Sequence, residues 1–128
     1  MKISRRTTLA ILASTVVVAI FVFAWSLCFP GRSFDPALWK IDPRFHPEAR
    51  FARAEMCDRM IARRTLLQMT RPQIIAMLGE PTPNDLMPNS LMHYELGSER
   101  GALGVDSETL VLRLGVDGRV TEVSIHRD

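Results

Sequence analysis

Residues Thr7 to Phe29 form one apolar run of 23 positions without a charged side chain. At about 1.5 Å of rise per residue this predicts a helix of roughly 34 Å, enough to cross a hydrocarbon core of ~30 Å. Beyond it the pattern loses its period. Between Pro30 and His46, the pairs Pro30-Gly31, Asp35-Pro36 and Asp42-Pro43 are expected to break any helix. Phe34, Leu38, Trp39, Ile41 and Phe45 are costly to leave in water, so part of this connector should pack on the C-terminal domain. A helix is then predicted from Pro47, with the proline in its first turn. Ala49, Ala52, Met56 and Met60, with the neighbouring Cys57 and Ile61, share one face of it, while Phe51 falls off that face.

Thr70-Arg71-Pro72-Gln73 predicts the start of a second helix, with Thr70 and Gln73 as a capping box and Pro72 in the first turn. Ile74, Ile75, Met77 and Leu78 give it an apolar side. Gly79 is expected to end it in the left-handed conformation, and Pro81 prevents its resumption. Period 2 takes over from Leu91 to Leu96, with Met92, Tyr94 and Leu96 on one face and His93 and Glu95 on the other. It returns from Thr109 to Leu114, where Leu110, Leu112 and Leu114 point inward. Asp117-Gly118 is a strong hairpin signal. Taken as a two-residue loop, it pairs Leu114 with Thr121, Leu112 with Val123 and Leu110 with Ile125, and sets Arg113 against Glu122. A one-residue slip would invert every face, so this agreement supports the register.

The fold class expected is α+β. An N-terminal transmembrane helix precedes a small two-layer α-α-β-β-β domain, its three-stranded antiparallel sheet covered on one face by two helices. The domain boundaries are 1–29 for the cytoplasmic tip and signal anchor, 30–46 for a proline-containing tether and 47–128 for the α+β domain. The last of these has 82 residues, enough for one thinly cored domain.

Charge refines the picture. The chain carries a net +2, but Lys2, Arg5 and Arg6 precede the apolar run. After Phe29 there are 13 basic and 14 acidic side chains, a net of −1, which argues against a nucleic-acid partner. Arg50, Arg53, Arg59, Arg63 and Arg64 crowd one segment, but Glu48, Glu55 and Asp58 are interleaved and the cluster reads as a solvated face. The basic tip predicts a cytoplasmic N-terminus and an extracytoplasmic domain. Trp25 suits the headgroup interface, and Trp39 reads as a packing residue. The length of the run favours a retained signal anchor, because secretory apolar cores are shorter. Cleavage after Ala24 and lipidation at Cys28 are the other fates, although Leu27 is larger than a lipidation motif accepts before its cysteine.

The side chains with catalytic chemistry are His46, His93, His126, Cys57 and Ser124. His93 and Glu95 share a strand face, and Thr109 is placed opposite His126. No nucleophile elbow, phosphate loop or zinc-helix pattern occurs, and Cys28 and Cys57 lack metal spacing. These groups are therefore read as structural or solvated. No catalytic, cofactor or metal site is assigned, and the protein is expected not to be an enzyme.

Met69-Thr70-Arg71-Pro72-Gln73-Ile74-Ile75-Ala76-Met77-Leu78-Gly79-Glu80-Pro81, Tyr94-Glu95-Leu96-Gly97 and the closing Asp117-Gly118-Arg119-Val120 together resemble the SmpA/OmlA family, small envelope lipoproteins of the BamE type. The resemblance runs from about Arg53 to His126. Gln68 stands where the family often has glycine, and the apolar run replaces the family's lipidation motif. The resemblance implies a periplasmic scaffold or protein-binding domain and maps no partner-binding residue onto this chain. The resulting expectation is an inner-membrane, single-pass envelope protein, held in the bilayer through Thr7–Phe29, whose domain binds an envelope protein. The alternative is a small envelope hydrolase, or a metal or small-molecule binder, using His93, Glu95 and His126.

Overall fold

The computed structural model describes residues 4–28, 31–101 and 105–128, with 26–28 as backbone only. It divides into two units, Met1–Pro30 and Gly31–Asp128. The first is helix α1, Arg5–Cys28. Its span Arg5–Trp25 is long and apolar enough to cross a membrane, a property shared by anchors and signal sequences. Its described side chains are exposed, and the Thr15 hydroxyl donates to the Ile11 carbonyl at 2.6 Å, so that polar group is satisfied within the helix. Phe29 and the Cys28 side chain lie outside the described residues, as do the expectations that fall on them.

The second unit is α+β. After α2 (Pro36–Lys40) come a 3-10 turn (Pro47–Ala49), α3 (Ala52–Ala62) and α4 (Arg71–Leu78), then strands β1 (Leu91–Ser98), β2 (Ser107–Leu114) and β3 (Val120–Arg127). The strands form an antiparallel sheet in the order β1-β2-β3. Trp39, Met56, Met60, Ile74, Leu78, Met92, Tyr94, Leu110, Leu112 and Val120 belong to one buried cluster, so every helix and strand of this unit contributes to a single core.

Asp35-Pro36, expected to break a helix, starts one. Asp35 Oδ1 accepts from the Ala37 and Leu38 N–H groups at 2.9 and 3.2 Å, and the proline occupies the first turn where its missing N–H costs nothing. This short helix buries Trp39 to 3% exposure. The Trp39 Nε1–H donates to the Leu78 carbonyl at 2.8 Å, closing the C-terminal end of α4. Tyr94 O–H donates to the adjacent Gly79 carbonyl at 2.9 Å, and burial pushes its pKa up to about 12, so it remains a donor. Arg53 completes the joint, with its guanidinium over the Trp39 ring and its Nε–H donating to the Trp39 carbonyl at 2.7 Å.

Three local expectations change and one, the capping box, holds. The helix from Pro47 is a 3-10 turn and a separate α3, because Phe51 (φ −110°, ψ 1°) is not helical; Ala49, Ala52, Met56, Cys57 and Met60 are buried as the apolar stripe required. Gly79 does end α4, but at φ 85°, ψ −174°, outside the left-handed helical region and in backbone space that only glycine enters freely. The capping box of Thr70 and Gln73 forms, with the Thr70 N–H donating to Gln73 Oε1 at 2.8 Å. The β2-β3 loop has three residues, not two. Gly115 N–H donates to the Arg119 carbonyl at 2.8 Å, Gly118 takes the positive-φ position (75°), and Leu114 pairs with Val120. A bulge at the Arg113/Leu114 step then restores Arg113 to Glu122, Leu112 to Val123 and Leu110 to Ile125. The two one-residue differences cancel.

Gln68 adopts φ 66°. The left-handed region costs a non-glycine residue about 1–2 kcal/mol, partly offset by the unfolded-state entropy that glycine adds. Gln68→Gly should therefore stabilise the domain by about 0.5–1 kcal/mol, read as a rise in the urea midpoint at unchanged m-value. The hydrogen bonds of residue 68 are backbone ones, Gln68 N–H to the Val120 carbonyl at 2.8 Å and Arg119 Nη1 to the Gln68 carbonyl at 3.0 Å, and survive the change.

Candidate functional site

Strand alternation sends the even-numbered residues from Met92 to Leu96 of β1 and from Glu108 to Leu112 of β2 into the core and leaves Leu91, His93, Glu95, Thr109, Val111 and Arg113 on the outer face; a bulge between Glu95 and Gly97 ends the alternation in β1. The register sets these in three rows across the sheet: Leu91, Arg113 and Glu122; His93, Val111 and Ser124; Glu95, Thr109 and His126. Row neighbours bring their Cβ atoms to about 4.5–5.5 Å. The loop before β1 forms a wall at one side. Its Thr82 N–H donates to the His93 carbonyl at 2.7 Å, and Arg71 Nη2 donates to the Asn89 carbonyl at 3.1 Å. Together the loop and the face enclose an open hollow of about 660 Å³, with Pro83, Met87, Leu91 and Val111 among its apolar lining.

His93, Glu95, His126, Ser124 and Thr109 all line this hollow. Thr109 lies directly opposite His126, as the sequence implied. Among the described residues no hydrogen bond or ion pair joins His93, Glu95 and His126 to one another. Glu95 faces Arg44, with Nη1 at 3.9 Å from its carboxylate, and Arg113 Nε donates to Glu122 at 3.0 Å. His93 Nε2 is buried and has no partner among the described residues. Among the described residues no three His, Cys, Asp or Glu side chains converge as a metal ion would require. The face offers apolar area with separated donors and acceptors. Among the described residues no hydrogen bond on this face joins a nucleophile to a base.

The other two candidates lie elsewhere. His46 is exposed beside the 3-10 turn, with Nδ1 at 3.0 Å from Glu48 Oε1. Cys57 is fully buried on α3, and desolvation pushes its thiol pKa well up. A thiolate is the reactive form, so Cys57 should resist thiol reagents in the folded protein. In a Cys28→Ser background, labelling should be slow in buffer and rise abruptly at the urea concentration where the domain unfolds. Fast labelling in buffer would mean that the core opens locally at α3.

One cluster lies outside every motif of the sequence. Glu108, at 0% exposure, accepts from Arg100 Nε at 2.9 Å and from Arg127 Nε at 3.0 Å. Arg100 also forms a two-pronged ion pair with Asp58 on α3. Parity was the available signal, since Glu108 has the same inward phase as Leu110 and Leu112. The cluster ties the start of β2 and the end of β3 to α3.

Comparison of the chain with family models, with curated proteins and with solved structures finds no match. The functional reading therefore rests on the geometry of the outer face and on the apolar N-terminal helix.

Proposed function

We propose that this protein is a membrane-tethered interaction module of the cell envelope. The observation that carries the proposal is the hollow of about 660 Å³ on the outer sheet face, walled by the 82–87 loop and lined by mixed apolar and hydrogen-bonding groups. A site of that character grips a partner's side chain through shape and a few placed polar groups. Val111 lies at its centre, between His93 and Ser124. Helix α1 supports tethering, as Arg5–Trp25 has the length and composition of a span. The basic tip supports retention of the N-terminus in the cytoplasm and display of the domain on the far side of the inner membrane. The helices are read as one layer and the sheet as the other, which leaves the outer face free for a partner. The likeness of the Met69–Pro81 and Tyr94–Gly97 motifs to SmpA/OmlA domains supports a scaffold role of this kind.

The test is a photo-crosslinking residue at Thr109 in the full chain in native membranes. The expected result is one protein adduct whose yield falls about tenfold with Val111→Arg, equivalent to ~1.4 kcal/mol of binding. Adducts limited to abundant background proteins, and indifferent to Val111→Arg, would sink the proposal.

The second reading is acid-base chemistry by His93, Glu95 and His126, favoured by their shared lining of the hollow. It requires His93→Ala to abolish a turnover that the intact chain supports, without loss of the Thr109 adduct.

A further inference from the structure

The two edges of the sheet are treated differently by the rest of the chain. The outer edge of β1 is occupied. Thr82 N–H donates to the His93 carbonyl at 2.7 Å, Glu95 N–H donates to Thr82 Oγ1 at 3.4 Å, and Arg53 Nη1 donates to the Glu95 carbonyl at 2.9 Å. The outer edge of β3 is occupied only at its start. There, Val120 N–H donates to the Met69 carbonyl at 2.9 Å and Gln68 N–H donates to the Val120 carbonyl at 2.8 Å. From Thr121 to Arg127, no segment among the described residues pairs with that edge. An open edge of this kind carries unpaired N–H and C=O groups and is a template for another strand.

We propose that β3 pairs antiparallel with β3 of a second copy of this chain about a two-fold axis at Ser124, forming a continuous six-stranded sheet. The inference goes beyond the proposed function: Glu122, Ser124 and His126 also line the hollow, but the pairing proposed is made by the backbone edge of β3 with a second copy.

Among axes through the middle of the open edge, at Val123, Ser124 and Ile125, cross-strand complementarity selects the register. Residues opposite one another in an antiparallel pair point to the same face, so the axis must pass through a residue and not between two. An axis at Val123 would set Glu122 against Ser124 twice, so neither Glu122 nor His126 would meet an opposite charge across the pair. An axis at Ile125 would set Glu122 against Asp128, acid against acid. An axis at Ser124 sets Glu122 against His126 twice and Val123 against Ile125 twice. An imidazole N–H donates to a carboxylate in either protonation state. Glu122 is bound to Arg113 through one oxygen at 3.0 Å, and the carboxylate keeps further acceptor capacity. On the opposite face, Val123 and Ile125 are only half-buried within one copy, and their pairing would cover them. Cross-strand pairs of both kinds are stabilising. It is this self-complementarity that selects a second copy over an unrelated extended peptide. The pairing spans residues 122–126, and beyond it the partner strand must turn away where Gln68 and Met69 begin.

The test uses the full chain in detergent micelles, in a Cys28→Ser background, with Ser124→Cys, Glu122→Cys and His126→Cys made singly. At the axis, the two Cβ atoms of position 124 lie about 4.5–5.5 Å apart, within easy adjustment of disulfide geometry. Positions 122 and 126 each lie about 14 Å or more from their own symmetry mates, four residues along the strand direction. Mild oxidation should therefore give disulfide dimers at position 124 at least tenfold faster than at 122 or 126. In the Ser124→Cys background, His126→Glu should suppress the dimer and Glu122→Lys with His126→Glu should restore it. Equal rates at the three positions would overturn the proposal, because they signify association through α1 or non-specific contact. So would dimers insensitive to His126→Glu, or disulfides formed only with other proteins. Thermal melts of each variant, matching the parent chain, separate lost pairing from lost folding.

Discussion

Trp39→Ala should destabilise the domain by about 3–5 kcal/mol, the range for removing a large aromatic from a packed core. Domains are stable by only about 5–15 kcal/mol in total, so this one change takes a large part of the margin. Two effects combine. The indole fills the core beside Phe34 and Tyr94, with ring centroids at 6.0 and 6.3 Å. Its Nε1–H also satisfies the Leu78 carbonyl, which is otherwise one of the orphan acceptors at the end of α4. Trp39→Phe separates the two, since it keeps most of the ring and strands the carbonyl, and should cost about 1–3 kcal/mol. The measurement is urea unfolding read by Cys57 labelling in the Cys28→Ser background, which follows the domain independently of α1. A chain beginning at Pro47 should fail to fold for the same reason. An unchanged urea midpoint for Trp39→Ala would show that the segment before Pro47 is not part of the core.

Arg100→Met should cost about 3 kcal/mol, because it withdraws the main counter-charge from a carboxylate with no access to water. Breaking a buried pair from one side is far more costly than replacing both partners with apolar groups. Glu108 would retain only Arg127, whose side chain is more than half exposed, and Asp58 would lose its pairing with Arg100. Addition of Glu108→Leu should therefore recover much of the loss, although Glu108→Leu alone leaves Arg100 paired with Asp58 and should cost less than Arg100→Met. A double-mutant cycle on the urea midpoints gives the coupling directly. Purely additive effects would mean that the cluster is a solvated surface network and that Glu108 is not held in the core.

Much of the architecture is legible because it depends on residues close together along the chain. The Thr70/Gln73 capping box joins residues three positions apart. The faces of β1 and β2 come from period 2. The pairing of Arg113 with Glu122 is legible although the turn type is not, because the three-residue loop and the bulge compensate each other. The outer-face set of His93, Glu95, Thr109 and His126 is likewise legible from parity. Other features are not. Asp35-Pro36, read as an interruption, starts a helix, and what fixes that start is the long-range burial of Trp39. Gly79 announces a helix end but not which of glycine's conformations it takes.

By itself the sequence determined the apolar N-terminal helix, the α+β order of the domain and, except at Leu114, the pairing of β2 with β3, since these arise from local hydrogen bonding and from the periodic burial of apolar side chains. Only the tertiary structure decided how a charge is buried and which strand edge is left open. Glu108 is neutralised by Arg100 and Arg127, and Arg100 reaches α3 through Asp58, 42 residues away. Thr82 and Arg53 cover the edge of β1, while nothing among the described residues covers β3 beyond Val120. Those outcomes depend on which distant segments meet, and a partner's distance along the chain leaves no periodic trace in the residues themselves.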